Sequence, residues 1–242
     1  MEVSIQVLNK TLKADLNKPI DLSIEVKKGE GSSIAFHAPN VNIEPIRSGS
    51  FVGDVSEGGP VNTNIVSFNP HGNSTHTESL AHISDEDVPV NKIFKRFMWL
   101  AYLHTVSLDF FGTDSFIPLS EFKKSDIEFT EALIIRTNPV NYNFSGNNPA
   151  YLSSDAAEYL RLNNIKHLLI DLPSVDKEED GGLLSSHKAF WGFPDKLRRD
   201  ASITELIKIP ENIKDGWYLL ELQIMNLRNN ASPSRPIIYE LL

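Results

Sequence analysis

The 242-residue sequence contains no cysteine. Disulfide bonds and thiolate metal ligands are therefore excluded, so any metal site must use histidine, aspartate and glutamate. A continuous apolar run of eighteen residues is also missing. The most apolar helix-like segment, residues 94–111, is interrupted by Lys95, Arg96, His104 and Asp109. We therefore expect no membrane-spanning helix.

Basic residues are fewer than acidic ones. The sequence has 23 lysines and arginines and 32 aspartates and glutamates, which gives a formal net charge of −9. This balance argues against nucleic acid or an anionic membrane as the main partner. The first five residues lack the basic and apolar regions of a signal peptide, so we expect a cytoplasmic protein. A hydrophobic content of 40% can bury a sizeable core. We expect a single domain over residues 1–242.

Hydrophobic patterning predicts an α/β fold. Residues 3–7, 20–26 and 64–68 read as strands at the N-terminal side, and the first two alternate apolar and polar side chains. The order of residues 131–137, 153–162 and 165–171 is strand, helix, strand, which indicates a β-α-β unit. Residues 217–225 and 236–242 are predicted to be closing strands around a loop at 229–234. Together these elements predict a mixed sheet.

The most informative segment is residues 70–82, which holds three of the seven histidines and a carboxylate. Imidazole and carboxylate bind zinc, manganese or iron while leaving room for water. On a strand, His76, Glu78 and His82 share parity and would project to one side. His71 has the opposite parity and would join them only through a bulge at Gly72. The alternative is a solvated surface loop.

A second group of polar residues follows the predicted strand 165–171. Asp171, Pro173, Ser174 and Asp176 would lie in one loop at the end of that strand, where functional sites tend to form. The same residue types are common in turns, and we favour this structural interpretation for them.

The run from His76 to His82 resembles the signature of the cyclase family of metal-dependent hydrolases, to which bacterial kynurenine formamidases belong. That signature reads His, three residues, His, one residue, Asp, three residues, His. Further segments of this sequence are similar to later family elements and occur in the same order: residues 151–176, Ser186-His187, Thr204-Glu205-Leu206 and Ala231-Ser232-Pro233.

The resemblance implies a swivelling β/β/α-type domain that assembles as a homodimer or homotetramer. It also implies two divalent ions, zinc first with manganese or iron as alternatives. The implied site residues are the metal ligands His76, Glu78, His187 and Glu205, with both glutamates bridging, the catalytic acid/base His82, and the substrate-contacting aromatic residue Phe36.

Three departures from the family pattern affect the site. The family's first histidine falls on Gly72, so we predict that a bulge lets His71 replace it. Glu78 stands where the family has aspartate, and its extra methylene lengthens the reach of the carboxylate. The interval from His187 to Glu205 is long, which predicts an insertion at residues 191–200 that overhangs the site. Trp191 and Phe193 would line the pocket through this insertion, although aromatic residues more often serve in packing.

These residues predict an amide hydrolase. A metal held by histidine and carboxylate lowers the pKa of its water to about 7, and the resulting hydroxide would attack the carbonyl of a formamide. His82 would protonate the leaving nitrogen, although a role as a further ligand or as an orienting residue stays open. The candidate substrate is N-formylkynurenine, an intermediate of tryptophan catabolism.

Other functions also fit the sequence. The same metals could serve hydrolysis of another small amide, ester or lactone, or a cyclisation or dehydration. A non-catalytic homologue that binds metal or a small acid is the alternative from a different class. Among the remaining histidines, His37 is a candidate pocket residue. We expect structural roles for His104, within the helix-like segment, and for His167, within a strand.

Overall fold

The computed structural model describes residues 1–7, 10–123, 130–140 and 144–242. The strands are β1 (Glu2–Val7), β2 (Lys10–Asp15), β3 (Ile20–Asp21), β4 (Asn42–Pro45), β5 (Arg47–Ser48), β6 (Phe51–Val52), β7 (Asn64–Ser67), β8 (His76–Glu78), β9 (Met98–Ser107), β10 (Asp109–Phe111), β11 (Asp114–Ile117), β12 (Ala132–Asn138), β13 (Tyr151–Leu152), β14 (His167–Ile170), β15 (Ser202–Glu205), β16 (Gly216–Ile224) and β17 (Ala231–Glu240). The α-helices are α1 (Pro70–Asn73), α2 (Val90–Ile93), α3 (Ser154–Leu162) and α4 (Ser185–Trp191), and short 3₁₀ helices lie at Val55–Glu57, Leu80–His82 and Leu119–Glu121.

The main sheet closes on itself. Its order is β16-β9-β12-β14-β15-β8-β17, and β17 pairs back with β16. Strands β9, β12, β14 and β15 are mutually parallel, whereas β8, β16 and β17 pair antiparallel with their neighbours. The predicted α/β class with a mixed sheet is therefore confirmed.

Two core clusters lie on the two faces of this closed sheet. Side chains that point to the inside form one cluster, which includes Trp99, Leu103, Ile134 and Leu220. The outer face packs against α3 and α4 and forms the other. Alternate residues of each parallel strand enter different clusters, as the pleat of a strand requires.

The predicted β-α-β unit is confirmed as β12, α3 and β14. Helix α3 buries Ala156, Ala157 and Leu160, whose spacing of three to four residues gives one apolar stripe. Ser153 occupies the N-cap position, but its hydroxyl makes no capping hydrogen bond. Asp155 in the first turn and Arg161 in the last complement the helix dipole.

Residues 94–111 are not helical, so this expectation is wrong. Most of the segment forms β9 and β10, and His104 lies in β9 rather than in a helix. The inward side chains of β9, including Trp99 and Leu103, join the inner cluster, while Tyr102 packs on the outer one. A strand covered on both faces reads as a nearly continuous apolar run, which periodicity does not separate from a helix.

Two predicted boundaries near the site are also wrong. The strand at 20–26 ends at Asp21; the backbone N–H of Leu22 still donates to Pro236, but that of Ile24 donates to the hydroxyl of Thr75. The predicted loop at 229–234 becomes strand from Ala231, because the start of β17 pairs with β8.

The described part of the chain contains no helix with the length and apolar character needed to cross a bilayer.

Candidate metal centre

Strand β8 places two donor side chains on one face of the sheet. His76 and Glu78 are two residues apart, so both project to the side covered by α4. Glu205, at the end of β15, is the antiparallel register partner of His76 and adds its carboxylate from the neighbouring strand. The Nε2 atom of His76 lies 3.4 Å from Oε2 of Glu205 and 3.9 Å from Oε2 of Glu78.

Helix α4 contributes a third donor, His187. Its Nε2 lies 2.9 Å from Oε1 of Glu78 and 3.7 Å from Oε1 of Glu205. Its Nδ1 lies 2.5 Å from Oδ2 of Asp176, and this carboxylate also accepts the backbone N–H groups of Ser186 and His187. Asp176 thus contacts the candidate site, although the sequence analysis, which placed it in a loop where functional sites tend to form, favoured a structural role in a turn.

His71 joins the cluster by a different route from the one predicted. It lies in α1, which begins with Pro70 at its first position and is capped by the Asn69 side chain, so the predicted strand bulge is wrong. The helical turn brings Nδ1 of His71 to 3.2 Å from Oε2 of Glu78. His71 therefore contacts the carboxylate of Glu78, although it lies one position before Gly72, where the family pattern has its first histidine.

Gly72 is required by packing. A Cβ atom at this position would lie 2.3 Å from Cβ of Ala38 and 2.7 Å from the carbonyl oxygen of Ala35. The backbone carbonyl of Gly72 also accepts a hydrogen bond from the N–H of Ala35. The turn at residues 35–38 is thus docked directly on α1, and no side chain fits at residue 72.

His82 completes the cluster from the 3₁₀ helix Leu80–His82 rather than from a continued strand, so the expected parity with His76 does not apply. The chain leaves the strand after Glu78, and the hydroxyl of Ser79 donates to the carbonyl of Val88. The Nε2 atom of His82 lies 3.7 Å from Oε2 of Glu78, and its ring stacks on that of His71 with centroids 4.4 Å apart.

The charges around Glu78 are those of a cation site. Burial alone would raise the pKa of Glu78, but the charge of His82, the hydrogen bond from His187 and the nearby ring of His71 hold that pKa well below its usual range. Burial opposes protonation of His187, yet Asp176 and Glu78 raise its pKa well above the ordinary value. The buried carboxylates therefore favour the protonated forms of His71 and His187.

The donor atoms fit a divalent metal. Nδ1 of His76 donates to the carbonyl of Ser74 at 3.0 Å, so in the neutral ring the lone pair of Nε2 faces the carboxylates. Among the described residues, Nε2 of His76 and Oε2 of Glu78 are buried without a hydrogen-bond partner. Nε2 of His76 lies 3.4 Å from Oε2 of Glu205, and Nδ1 of His71 lies 3.2 Å from Oε2 of Glu78. Both separations are close to the edge, about 3.3 Å, of a tetrahedron built on roughly 2.0 Å zinc–ligand bonds.

Two overlapping groups of donors share Glu78. One consists of His71, His76 and Glu78, and the other of Glu78, His82 and His187. His76, Glu78, His187 and Glu205 are buried, whereas the side chains of His71 and His82 are 24% and 28% exposed. The two stacked rings therefore form the open side, from which a substrate would approach.

The structure places the other candidate residues outside the cluster. Phe36 is an exposed residue of the turn at 35–38 that packs on α1, and His37 follows it with its N–H donating to Ser145. His104 and His167 lie in β9 and β14. Asp171 accepts the N–H and hydroxyl of Thr137.

The predicted overhanging insertion at residues 191–200 is wrong. Trp191 is fully buried at the end of α4, where its ring stacks behind His187 with centroids 5.5 Å apart. Phe193 and Leu197 pack against the outer core cluster, and Arg199 pairs with Glu86. The extra residues support α4 from the core side instead of covering the site, because their apolar side chains find more burial there.

Comparisons with solved structures give the same fold. A structure titled as a potential metal-dependent hydrolase with cyclase activity shares 17% identity at a TM-score of 0.65, with 92% of this chain and 97% of that chain covered. A predicted metal-dependent hydrolase from Bacillus stearothermophilus shares 16% identity at a TM-score of 0.63, with 92% and 98% covered. Isatin hydrolase A from Labrenzia aggregata shares 13% identity at a TM-score of 0.65, with 92% and 93% covered.

No curated protein sequence matches this chain significantly. A family model described as putative cyclase matches residues 20–177, which include the strand that carries His76 and Glu78 and the loop that carries Asp176. With this match over more than half of its length, the chain belongs to the cyclase family.

Proposed function

We propose that this chain is a metal-dependent hydrolase that cleaves the C–N bond of a small aryl formamide, with N-formylkynurenine as the candidate substrate. The observation that carries the proposal is the buried Glu78 carboxylate, which four histidines approach while one of its oxygens has no hydrogen-bond partner among the described residues. The metal-dependent hydrolases among the similar structures support the reaction class.

The residues that would hold the metal are His71, His76, Glu78, His187 and Glu205. Zinc is the first candidate, and manganese and iron accept the same donors. Two ions fit the arrangement because two donor groups overlap at Glu78. A metal bound here would supply an ionisable water near neutral pH and a Lewis acid for the substrate carbonyl.

The chain itself fixes the donors before substrate arrives. Asp176 holds the ring of His187, the carbonyl of Ser74 holds that of His76, and the N–H of Val175 donates to Oε1 of Glu205 at 2.9 Å. Three of the five donors, His76, His187 and Glu205, thus have an outer partner that sets their orientation, as is typical of metal sites in proteins. The arrangement favours a catalytic centre over a loose surface cluster.

His82 is the residue that moves a proton. An amide nitrogen must be protonated as it leaves, and a histidine on the open side of the cluster is suited to deliver that proton. The partial exposure of His82 beside Glu78 supports this role, because it leaves the ring accessible to a substrate. We therefore assign general acid/base catalysis to His82.

A cyclic amide is the second candidate substrate class. Several similar structures are named as isatin hydrolases, and isatin carries its amide bond within a ring. Opening of that ring needs the same carbonyl attack and the same proton on nitrogen. Both reactions are therefore tested together, alongside a panel of small esters and lactones.

The first experiment measures metal content and turnover on the same purified protein. Elemental analysis gives the ions bound per chain, and assays with N-formylkynurenine and with isatin are run before and after chelation. Chelator-sensitive turnover of the formamide supports the proposal, and turnover of isatin alone shifts it to cyclic amides. Failure to bind metal even after reconstitution would contradict the site itself. Glu57→Gln, at an exposed carboxylate, is the control for Glu78→Gln, which should bind little metal.

We also propose assembly as a homodimer or homotetramer in the cytoplasm. The two-stranded sheet of β4 and β7 exposes Ile65 and Val66, one on each of its faces, and they are 60% and 53% accessible in the isolated chain. Exposed apolar side chains of this kind can be covered by a neighbouring subunit. Light scattering on the purified protein gives the number of subunits, and Ile65→Lys should reduce it if this small sheet is the interface.

A further inference from the structure

A cavity of about 460 Å³ opens at the edge of the closed sheet where its parallel strands begin. Its lining includes Phe94, Trp99 near the start of β9, and His167, the first residue of β14. His167 is the register partner of Ser202, and Glu205 lies three residues further along β15, about 10 Å away at the usual rise of a strand. The cavity is therefore separate from the metal centre.

One wall of the cavity is aromatic. The ring of His167 stacks on that of Phe94 with centroids 5.3 Å apart and lies tilted against that of Trp99, with centroids 4.5 Å apart. Trp99 and His167 are nearly buried, whereas Phe94 is half-buried and leaves part of its ring uncovered. A flat aromatic ligand would extend this group of rings.

The charged residues at the rim of the cavity largely neutralise one another. Glu131 pairs with Arg96 and with Nζ of Lys166, the latter at 2.9 Å. The same Nζ lies 3.8 Å from Oδ2 of Asp200. Lys95, the other charged residue of the lining, is exposed, so a pair between it and an anionic ligand would contribute little. The rim therefore favours an uncharged ligand, since a buried charge needs a partner.

Two nitrogen atoms of the aromatic wall are free to bind a ligand. Nδ1 of His167 is hydrogen-bonded to the hydroxyl of Ser202 at 2.9 Å, but neither Nε2 of His167 nor Nε1 of Trp99 makes a hydrogen bond to a described residue. Neither of these two atoms is enclosed by the protein. Because His167 and Trp99 line the cavity, both nitrogens are open to it.

Both of these nitrogens are hydrogen-bond donors. Burial lowers the pKa of His167 to about 4, so its ring is neutral at pH 7 and carries one N–H. The hydroxyl of Ser202 has no other acceptor among the described residues, so it donates to Nδ1 and the proton of the ring is on Nε2. The indole nitrogen of Trp99 can only donate. The cavity therefore offers two N–H groups to a ligand that carries an acceptor.

We infer that this cavity binds a small uncharged aromatic carbonyl compound. The carbonyl oxygen accepts hydrogen bonds from the N–H groups of His167 and Trp99, and the aromatic ring packs on Phe94. Cavities of this size are typical of sites for small organic ligands. The inference is independent of the proposed hydrolase activity, because none of these residues is a metal donor.

Calorimetric titration with acetophenone tests the site in the metal-loaded protein, since this ketone has no bond that the proposed activity would hydrolyse. We expect binding to the wild type and at least tenfold weaker binding to His167→Asn, whose shorter amide reaches Ser202 but not the position of Nε2. Methylbenzylamine, which has an ammonium group in place of the acceptor, should also bind at least tenfold more weakly. Phe94→Leu removes the aromatic face, should weaken binding severalfold and serves if His167→Asn does not fold.

Two controls separate this site from the metal centre. Glu78→Gln disables the metal site and should leave acetophenone binding unchanged, whereas His104→Asn changes a histidine elsewhere in β9 and should have no effect. The inference is overturned if acetophenone does not bind at millimolar concentrations or if methylbenzylamine binds as tightly. It is also overturned if binding survives both His167→Asn and Phe94→Leu, or disappears in Glu78→Gln, which would assign the ketone to the metal centre.

Discussion

Asp176 and His187 form the closest ionic contact of the candidate metal centre, with Oδ2 of the carboxylate 2.5 Å from Nδ1 of the ring. The same carboxylate accepts two backbone N–H groups at the start of α4. Asp176 therefore fixes both the helix and the ring that this helix carries. Nε2 of His187 is left to face Glu78, as a metal ligand requires.

We expect Asp176→Asn to weaken metal binding. The amide keeps the shape of the side chain but loses the charge and one of two acceptor oxygens, so it cannot hold the ring and both N–H groups together. Removal of such outer partners reduces metal affinity by about 10- to 100-fold. Competition with a chromophoric chelator gives the affinity of the variant relative to the wild type.

Asp114→Asn is the matched control for this change. Asp114 pairs with Lys177, the residue after Asp176, but makes no hydrogen bond to the donors described above. Its replacement should leave the metal affinity within the error of the measurement. Equal affinities for wild type and Asp176→Asn would show that the orientation of His187 does not depend on this carboxylate.

Four of the metal donors could be predicted, for two different reasons. His76 and Glu78 are close in the sequence and share a face of β8 through simple alternation, whereas His187 and Glu205 were predicted from the resemblance to the family. The structure brings all four together. Short apolar runs also predicted β12 and β14, and serine and acidic residues at the start of a helix predicted α3 between them.

The remaining parts depend on contacts that the local sequence does not encode. His71 reaches Glu78 through a helical turn that is capped by Asn69 and packs through Gly72 against the turn at residues 35–38. The sequence around Asp176 is typical of a turn. Its carboxylate contacts the site only because the start of α4, ten residues later in the chain, packs against it. Residues 94–111 were predicted to be helical because β9 is covered on both faces, and its nearly continuous apolar sequence does not distinguish a strand from a helix. Each error arose where tertiary packing decided between local alternatives.

Gly72→Ala should destabilise the protein. The added methyl group would meet the side chain of Ala38 and the backbone of Ala35 at distances that require movement of the turn or of α1. Overpacking of this kind costs about 1–3 kcal/mol. Urea denaturation monitored by fluorescence gives the free energy of unfolding, which we expect to fall by that amount.

A second substitution tests the cause of this loss. Ala38→Gly removes the closer of the two clashing atoms, so the double variant Gly72→Ala/Ala38→Gly should be less destabilised than the sum of the two single changes predicts. The contact with the carbonyl of Ala35 stays, and recovery will be partial. Strictly additive effects would place the cost of Gly72→Ala elsewhere.

We expect His82→Ala to retain metal but lose turnover. General acid catalysis contributes roughly 10²- to 10⁴-fold, so kcat for an amide should fall by about that factor. An aryl ester of similar shape needs no proton on its leaving group and should lose much less. Rates on both substrates and the metal content of the variant are measured together, with His104→Gln in β9 as the control.

Two results would contradict this role of His82. Loss of metal in His82→Ala would make it a ligand, in keeping with its position in one of the two donor groups. Equal loss on amide and ester would indicate that His82 positions the substrate or another residue and does not protonate the leaving nitrogen.

The buried His167 should make the free energy of unfolding depend on pH. Its ring is buried between Phe94 and Trp99, and Nδ1 bonds to the hydroxyl of Ser202 at 2.9 Å. Burial lowers the pKa of His167 to about 4 from an ordinary value of 6.5, and the attraction of Glu131 offsets only part of this. Between these two pH values the unfolded chain binds more protons than the folded one at this residue.

The free energy of unfolding should therefore fall as the pH drops from 6.5 towards 4, by about 3 kcal/mol from this residue alone. His167→Gln keeps a polar group for Ser202 but does not titrate. The difference between wild type and variant, measured by urea denaturation at a series of pH values, isolates His167 because the remaining titratable groups are common to both. That difference should change steadily across this window and level off above pH 7. A constant difference would show that the pKa of His167 is the same in the folded and the unfolded chain, with the neighbouring carboxylates of Glu131 and Asp200 fully offsetting its burial.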